Sequence, residues 1–463
     1  MNTRSTLIIA SLGLLPMLGC GNSTPQFSNR QEFHELEPFA QEYVGEVLET
    51  YFGTPTESVA WEKLPLKFHY ADTTVAGEPT GRKVQFSLTD APTQIGSGTE
   101  VVFLTAEQRN LASARIREWD AETRTATFET KLANIPSTGA SALIGPGAVL
   151  KDGRMLYAEH CQHCHGVSGD GAGPTAQYLN PRPRDYRLGK FKFTTTKYEH
   201  RAQRGDLARV IEEGIPGTYM PSFKLLEPAE SEAIVEYVMW LSMRGELEYV
   251  LTTLLKEYAS EYVAQRVADG ESYEAIRDKF LADIQSGGMS DTVQEQAGYI
   301  AEAWAASQTP DALVEVKVKR IPSSPESIAR GRQLFLDANI KCSQCHGEAG
   351  YGNGPQTYSM MPDADIPGLF DDWGNPIKPR NLHTGIFRGG RRPYDLFCRI
   401  RASVKGTPMT RLDALPDEDV WHLVNYVYSI PYEEEIAGAG KEAQAAAPAE
   451  AEPVQPEKEV ASN

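Results

Sequence analysis

Cys161-Gln162-His163-Cys164-His165 and Cys342-Ser343-Gln344-Cys345-His346 are two copies of one pattern, Cys-x-x-Cys-His. Two thiols with two residues between them fit on a single helical turn. There they can add across the two vinyl groups of one haem, and the pattern reads as covalent c-type haem attachment. The histidine that follows points its imidazole at the iron as the proximal ligand. Zinc would need the two Cys-x-x-Cys pairs to converge on one ion. Here each pair has its own histidine and its own downstream pattern.

Working outward, the segments around the motifs form a long internal repeat. Gly153-Arg154-Met155-Leu156-Tyr157 precedes the first motif and Gly331-Arg332-Gln333-Leu334-Phe335 the second. After each motif comes a glycine-rich loop ending in Gly-Pro (Gly173-Pro174, Gly354-Pro355), then Pro183-Arg184-Asp185 or Pro379-Arg380-Asn381. Asp206-Leu207 and Asp395-Leu396 open apolar helical stretches, and Gly-Thr-x-Met follows at 217–220 and 406–409. Each repeat closes on an apolar helix, expected at Ala229–Arg244 and Asp417–Ile430. Repeats of this length are duplicated domains, not solenoid units.

An electron-transfer haem needs a second strong ligand on the far face of the ring, so it must come from well downstream. Met220 and Met409 occupy such positions, each beside a proline that stiffens the loop. Met360 and Met361 follow His346 too closely to cross the ring, and Met239 and Met243 fall on a closing helix with a core pattern. His200 and His383 compete as sixth ligands, and His160 and His163 flank the first motif.

On these residues the segments 148–245 and 326–432 resemble class I cytochrome c domains. The resemblance rests on Cys161, Cys164, His165 and Met220, and on Cys342, Cys345, His346 and Met409. It implies small all-α domains, each with one covalent haem c. It also implies that the carbonyls of Pro174 and Pro355 accept the proximal imidazole's hydrogen bond, and that Arg184 and Arg380 face haem propionates. The fold class expected is mainly α: two cytochrome c-like haem units, a β-rich module with a preceding helix at 33–147, and a helical spacer at 246–320. Within 33–147, residues 33–52 have helical spacing and the runs at 83–88, 100–104 and 114–130 are β-prone.

The ends carry different signals. Arg4 and the apolar run Leu7–Leu18 read as an export signal over 1–19, too short to favour a membrane span. Met17-Leu18-Gly19-Cys20 resembles a bacterial lipobox, which implies cleavage before Cys20 and its lipidation. Residues 20–32 read as a polar tether, and 433–463 as a disordered acidic tail. Acidic residues outnumber basic ones, 63 to 45, a net charge of −18 that argues against nucleic-acid binding. The lone Cys398 reads as a small buried hydrophobe.

The function expected is electron transfer by a dihaem c-type cytochrome, not enzymatic catalysis. It would work on the periplasmic side of a bacterial membrane, lipid-anchored, between a redox protein donor and acceptor. It would serve as a free carrier or as a subunit of a respiratory complex. A dihaem peroxidase is the alternative; that chemistry needs an open distal site with acid–base groups beside it.

Overall fold

The computed structural model describes residues 24–433 except 60, 62, 108 and 362–365. The export signal, Cys20 and the tail from 434 onward lie outside them. Among the described residues no helix is long and apolar enough to cross a membrane.

Both repeats are built on a crossing of their first and last helices. In the first, Ala148–His160 crosses Pro228–Leu254, and in the second, Pro325–Leu336 crosses Asp417–Ser429. The backbones approach so closely that a Cβ on Gly153 would lie 2.1 Å from the carbonyl oxygen of Ala233, and one on Gly331 2.0 Å from that of His422. Only glycine allows this contact. Aromatic pairs flank each crossing, Tyr157 with Tyr237 at 5.2 Å and Phe335 with Tyr426 at 5.3 Å between ring centroids.

The β-rich module closes on itself. Strands β1 (Ala71–Ala76), β2 (Lys83–Phe86), β3 (Glu100–Leu104), β4 (Asn110–Asp120), β5 (Thr125–Phe128) and β6 (Ser141–Ile144) form an antiparallel barrel in the order β1-β2-β5-β4-β3-β6. Period-2 alternation fills its interior: Val84 and Phe86, Val101 and Phe103, Ala112, Ala114 and Ile116. Closure leaves no edge strand to aggregate. The barrel stands on the first repeat, where Tyr70 donates to Asp152 at 2.7 Å.

Three boundaries differ from the sequence reading. Segment 33–147 is not one module. Pro38 takes the first position of the helix Pro38–Phe52 and splits it from the short turn Gln31–His34. That helix buries Ala40, Val44, Leu48 and Phe52 in the core of the first repeat and spacer, apart from the barrel core. The expected boundary at 245/246 falls inside the 27-residue helix Pro228–Leu254, which no glycine turn or proline interrupts. Its charged positions stay buried because they are paired: Glu246 with Arg201 at 2.5 Å and the Trp304 indole at 2.6 Å, and Glu248 with Arg244 at 3.2 Å. Residues 27–30 are docked, not a loose tether. Phe27 lies 4.1 Å beneath the Arg244 guanidinium, the Ser28 amide donates to Ser168 at 2.6 Å, and the Arg30 amide to Glu248 at 2.6 Å.

The expected spacer helices are present as Ser260–Ala268, Tyr273–Gln285 and Gly288–Ser307. Phe280 and Trp304 anchor them to the core of the first repeat. A mainly α description therefore fits the two repeats and the spacer; the chain as a whole adds a β-barrel.

Candidate functional site

Each attachment motif forms a short helix, Gln162–His165 or Cys342–His346, ended by a glycine at φ 76°, Gly166 or Gly347. The glycine loop then folds back on the motif. Gly171 and Gly352 donate to the carbonyls of His165 and His346 at 3.0 and 2.7 Å, and Gly173 and Gly354 to those of Cys164 and Cys345, both at 3.1 Å. These bonds fix both thiols and the imidazole on one short backbone unit.

The methionine loops match in the same detail. Thr218 Oγ1 donates to the Ile215 carbonyl at 2.8 Å and accepts from the Met220 amide at 3.1 Å. Thr407 Oγ1 donates to the Val404 carbonyl at 2.6 Å and accepts from the Met409 amide at 3.4 Å. Gly217 and Gly406, at φ 76° and 72°, allow the turn.

Cys161, Cys164, His165 and Met220 line the same cavity as Cys342, Cys345, His346 and Met409. Its volume is about 1550 Å³. That exceeds the ~300–1,000 Å³ of an ordinary small-molecule pocket. Burial pushes the His165 imidazole down to about 4 and lowers that of His346, so both are neutral and their ring nitrogens are available to a metal. Met239 and Met243 are fully buried in the helix core, while Met360 is exposed. The cavity wall includes none of these three, nor Met361, His200 or His383. His160 and His163 do line it. Cys398 lies in the core of the second repeat.

The implied role of the prolines is not what the geometry shows. The carbonyl of Pro174 accepts from Gln177 at 3.4 Å and that of Pro355 from Ser359 at 3.2 Å. His165 Nδ1 instead lies 3.2 Å from the carbonyl of Arg184. The cause is the later segment, which runs directly over the glycine loop. A Cβ on Gly171 would meet the Pro183 carbonyl at 2.6 Å, and one on Gly352 that of Pro379 at 2.4 Å. In the second repeat the Arg380 carbonyl faces His346, whose buried Nδ1 has no partner within hydrogen-bond geometry among the described residues.

Arg184 and Arg380 both line the cavity, and each reaches across to the other repeat. Arg184 stacks 3.7 Å above the Trp373 ring and lies 3.9 Å from Asp371. Arg380 packs on Gly217, whose absent side chain would sit 2.7 Å from a guanidinium nitrogen. No local motif marks Asp371 or Trp373 in the sequence. They sit on a hairpin, Leu369–Phe370 paired with Pro376–Ile377, that has no counterpart in the first repeat. The longer interval between Gly-Pro and Pro-Arg in the second repeat was the available signal.

A family model described as Cytochrome c matches residues 150–242 and 328–431. No curated protein matches the chain. A solved structure, the Kuenenia stuttgartiensis reducing HAO-like protein complex Kustc0457/Kustc0458, aligns at 25% identity over 60% of this chain and 96% of that one, with a TM-score of 0.41. The two matched segments coincide with the two motif-bearing repeats, so each repeat is similar to a cytochrome c domain, a likeness that implies covalently bound haem c.

Proposed function

We propose that the chain carries two haems c and relays single electrons between protein partners outside the cytoplasmic membrane, held at a membrane surface by lipid on Cys20. The observation that carries this reading is the single cavity, with a Cys-x-x-Cys-His unit and a methionine loop from each repeat on its wall. The residues fit the cofactor: two thiols for each ring, a neutral imidazole, and cationic side chains toward the middle. A bound haem supplies the one-electron couple. The protein's part is to hold the imidazole with a neighbouring carbonyl, to present the thioether from a stiffened loop, and to exclude water with apolar walls.

Two ligation sites in one cavity favour electron passage from one repeat to the other. A matching pair of methionine loops favours a carrier over a peroxidase, whose iron must open to substrate. The ferric protein should show a near-infrared sulfur-to-iron charge-transfer band. Met220→Ala and Met409→Ala should each remove part of it, and the double variant all of it. A wild-type spectrum without that band, or rapid peroxide turnover by the reduced protein, would overturn the carrier reading. Release from membranes by Cys20→Ser tests the anchor, and retention would contradict it.

A further inference from the structure

Where the repeats meet, the cavity wall is cationic. Arg184 and Lys192 come from the first repeat, and Arg380, Arg388 and Arg399 from the second; all five line the cavity. The acids on that wall are few. Asp371 is buried and takes Lys192 at 3.0 Å and Arg184 at 3.9 Å. Asp185 is already gripped by Arg187 at 3.0 and 2.8 Å, and Glu159 is exposed at the rim, as are Arg182, Lys341 and Lys378. Five cations thus face one available buried carboxylate. The surplus of four equals the number of propionates that two haems bring.

The seam's donors are also undersupplied. Arg388 spends Nη2 on the Gly217 carbonyl at 3.1 Å, but its buried Nε has no partner among the described residues. Trp373 Nε1 is likewise buried and without a partner among them. Arg399 spends Nη2 on the carbonyls of Gly389 and Gly390 at 2.9 and 2.5 Å. A buried donor without an acceptor costs about 1–3 kcal/mol, and buried cations persist when paired. Burial pushes Arg184 and Arg399 down to about 10, so both remain charged at neutral pH.

Resting on the dihaem reading, we propose that this seam is one carboxylate-binding site shared by both haems. Propionates from the two cofactors meet between the repeats, where Arg184, Lys192, Arg380, Arg388 and Arg399, less the one charge Asp371 takes up, neutralise them and Trp373 Nε1 donates. A seam cation then acts on both irons. It disfavours the ferric charge and raises both reduction potentials. The haems also become part of the joint between the repeats.

The test is an optical redox titration of the full-length matured protein, after haem per chain and the charge-transfer band have been measured. Arg388→Gln and Arg399→Gln should each lower both midpoints, with most of the shift restored by Arg388→Lys and Arg399→Lys. Arg277→Gln, on an exposed spacer helix, should move neither. If haem content and band are intact and only one midpoint moves, or none does, the shared seam is wrong. If an arginine variant fails to mature, Trp373→Phe decides the matter. It removes one neutral donor and should lower both midpoints by less; a shift confined to one overturns the proposal. Fewer than two haems in the wild type would instead sink the dihaem reading, and the first measurement shows that separately.

Discussion

The two repeats share a backbone and differ behind the proximal imidazole. In the first, the Tyr157 hydroxyl lies 2.8 Å from the Gly166 carbonyl and 3.0 Å from the Tyr186 hydroxyl, and the Tyr186 ring stacks on His165 at 5.2 Å. In the second, Phe335 and Leu382 occupy the corresponding places, and the Phe335 ring is 6.2 Å from His346. His165 Nδ1 has the Arg184 carbonyl at 3.2 Å, while His346 Nδ1 faces the Arg380 carbonyl outside hydrogen-bond geometry. A hydrogen bond at Nδ1 makes the imidazole a stronger donor to iron. One scaffold, duplicated, thus offers two different electronic environments.

The largest test of the comparison acts on the side the repeats share. Met220→His or Met409→His exchanges a thioether for an imidazole, and should lower the potential of its own haem by roughly a few tenths of a volt. Equal drops on the two sides would show equivalent methionine ligation. A redox titration in which one variant shifts nothing would show that its methionine is not a ligand.

Next comes a group present on one side alone. Lys405, just before the second methionine loop, is buried and donates to Thr196 and to the His200 carbonyl of the first repeat at 2.7 and 2.6 Å. Pro216 stands at that place in the first repeat. Burial pushes Lys405 down to about 7, against the pull of Asp206 and Glu199 and with the push of Arg201. Between that value and the ordinary lysine range the unfolded chain binds more protons than the folded one. Stability should therefore rise with pH through this window. Denaturant titrations of Lys405→Met should show that contribution flattened, by up to a few kcal/mol; an unchanged pH slope would remove Lys405 from the account.

The helix crossings should respond alike. Gly153→Ala and Gly331→Ala each force a Cβ onto a backbone carbonyl, and should cost about 1–3 kcal/mol or more by thermal melting. A large cost on one side only would break the structural equivalence. The smallest effect is in the wild type itself. The stronger Nδ1 hydrogen bond should leave the first haem the lower in potential, by a few tens of millivolts, about one hydrogen bond's worth of free energy. Midpoints assigned through the methionine variants check the order, and the reverse order would contradict the comparison.

How much of this was legible in the sequence follows from the range of each interaction. The attachment cysteines and histidines had to be neighbours in the chain, so Cys161–His165 and Cys342–His346 could be read directly. The methionine loops became visible because the repeat gave each a counterpart. The carbonyl at His165 belongs to Arg184 and not, as the resemblance implies, to Pro174, because which stretch of loop crosses the imidazole is a tertiary fact. Asp371 and Trp373 act on Arg184 from the other repeat, and nothing local marks them. Glu246 and Glu248 look like solvent positions in a helix that ends at 244; their burial depends on Arg201, Trp304 and Arg244, distant in sequence or hidden by helix packing.

The central claim, two haems stitched to one chain, is met most directly by an intact mass of the matured protein together with its two motif variants. The expected result is a wild-type mass increased by two haems, and an increase of one haem for either Cys161→Ala/Cys164→Ala or Cys342→Ala/Cys345→Ala. A wild-type chain bearing one haem or none would contradict it.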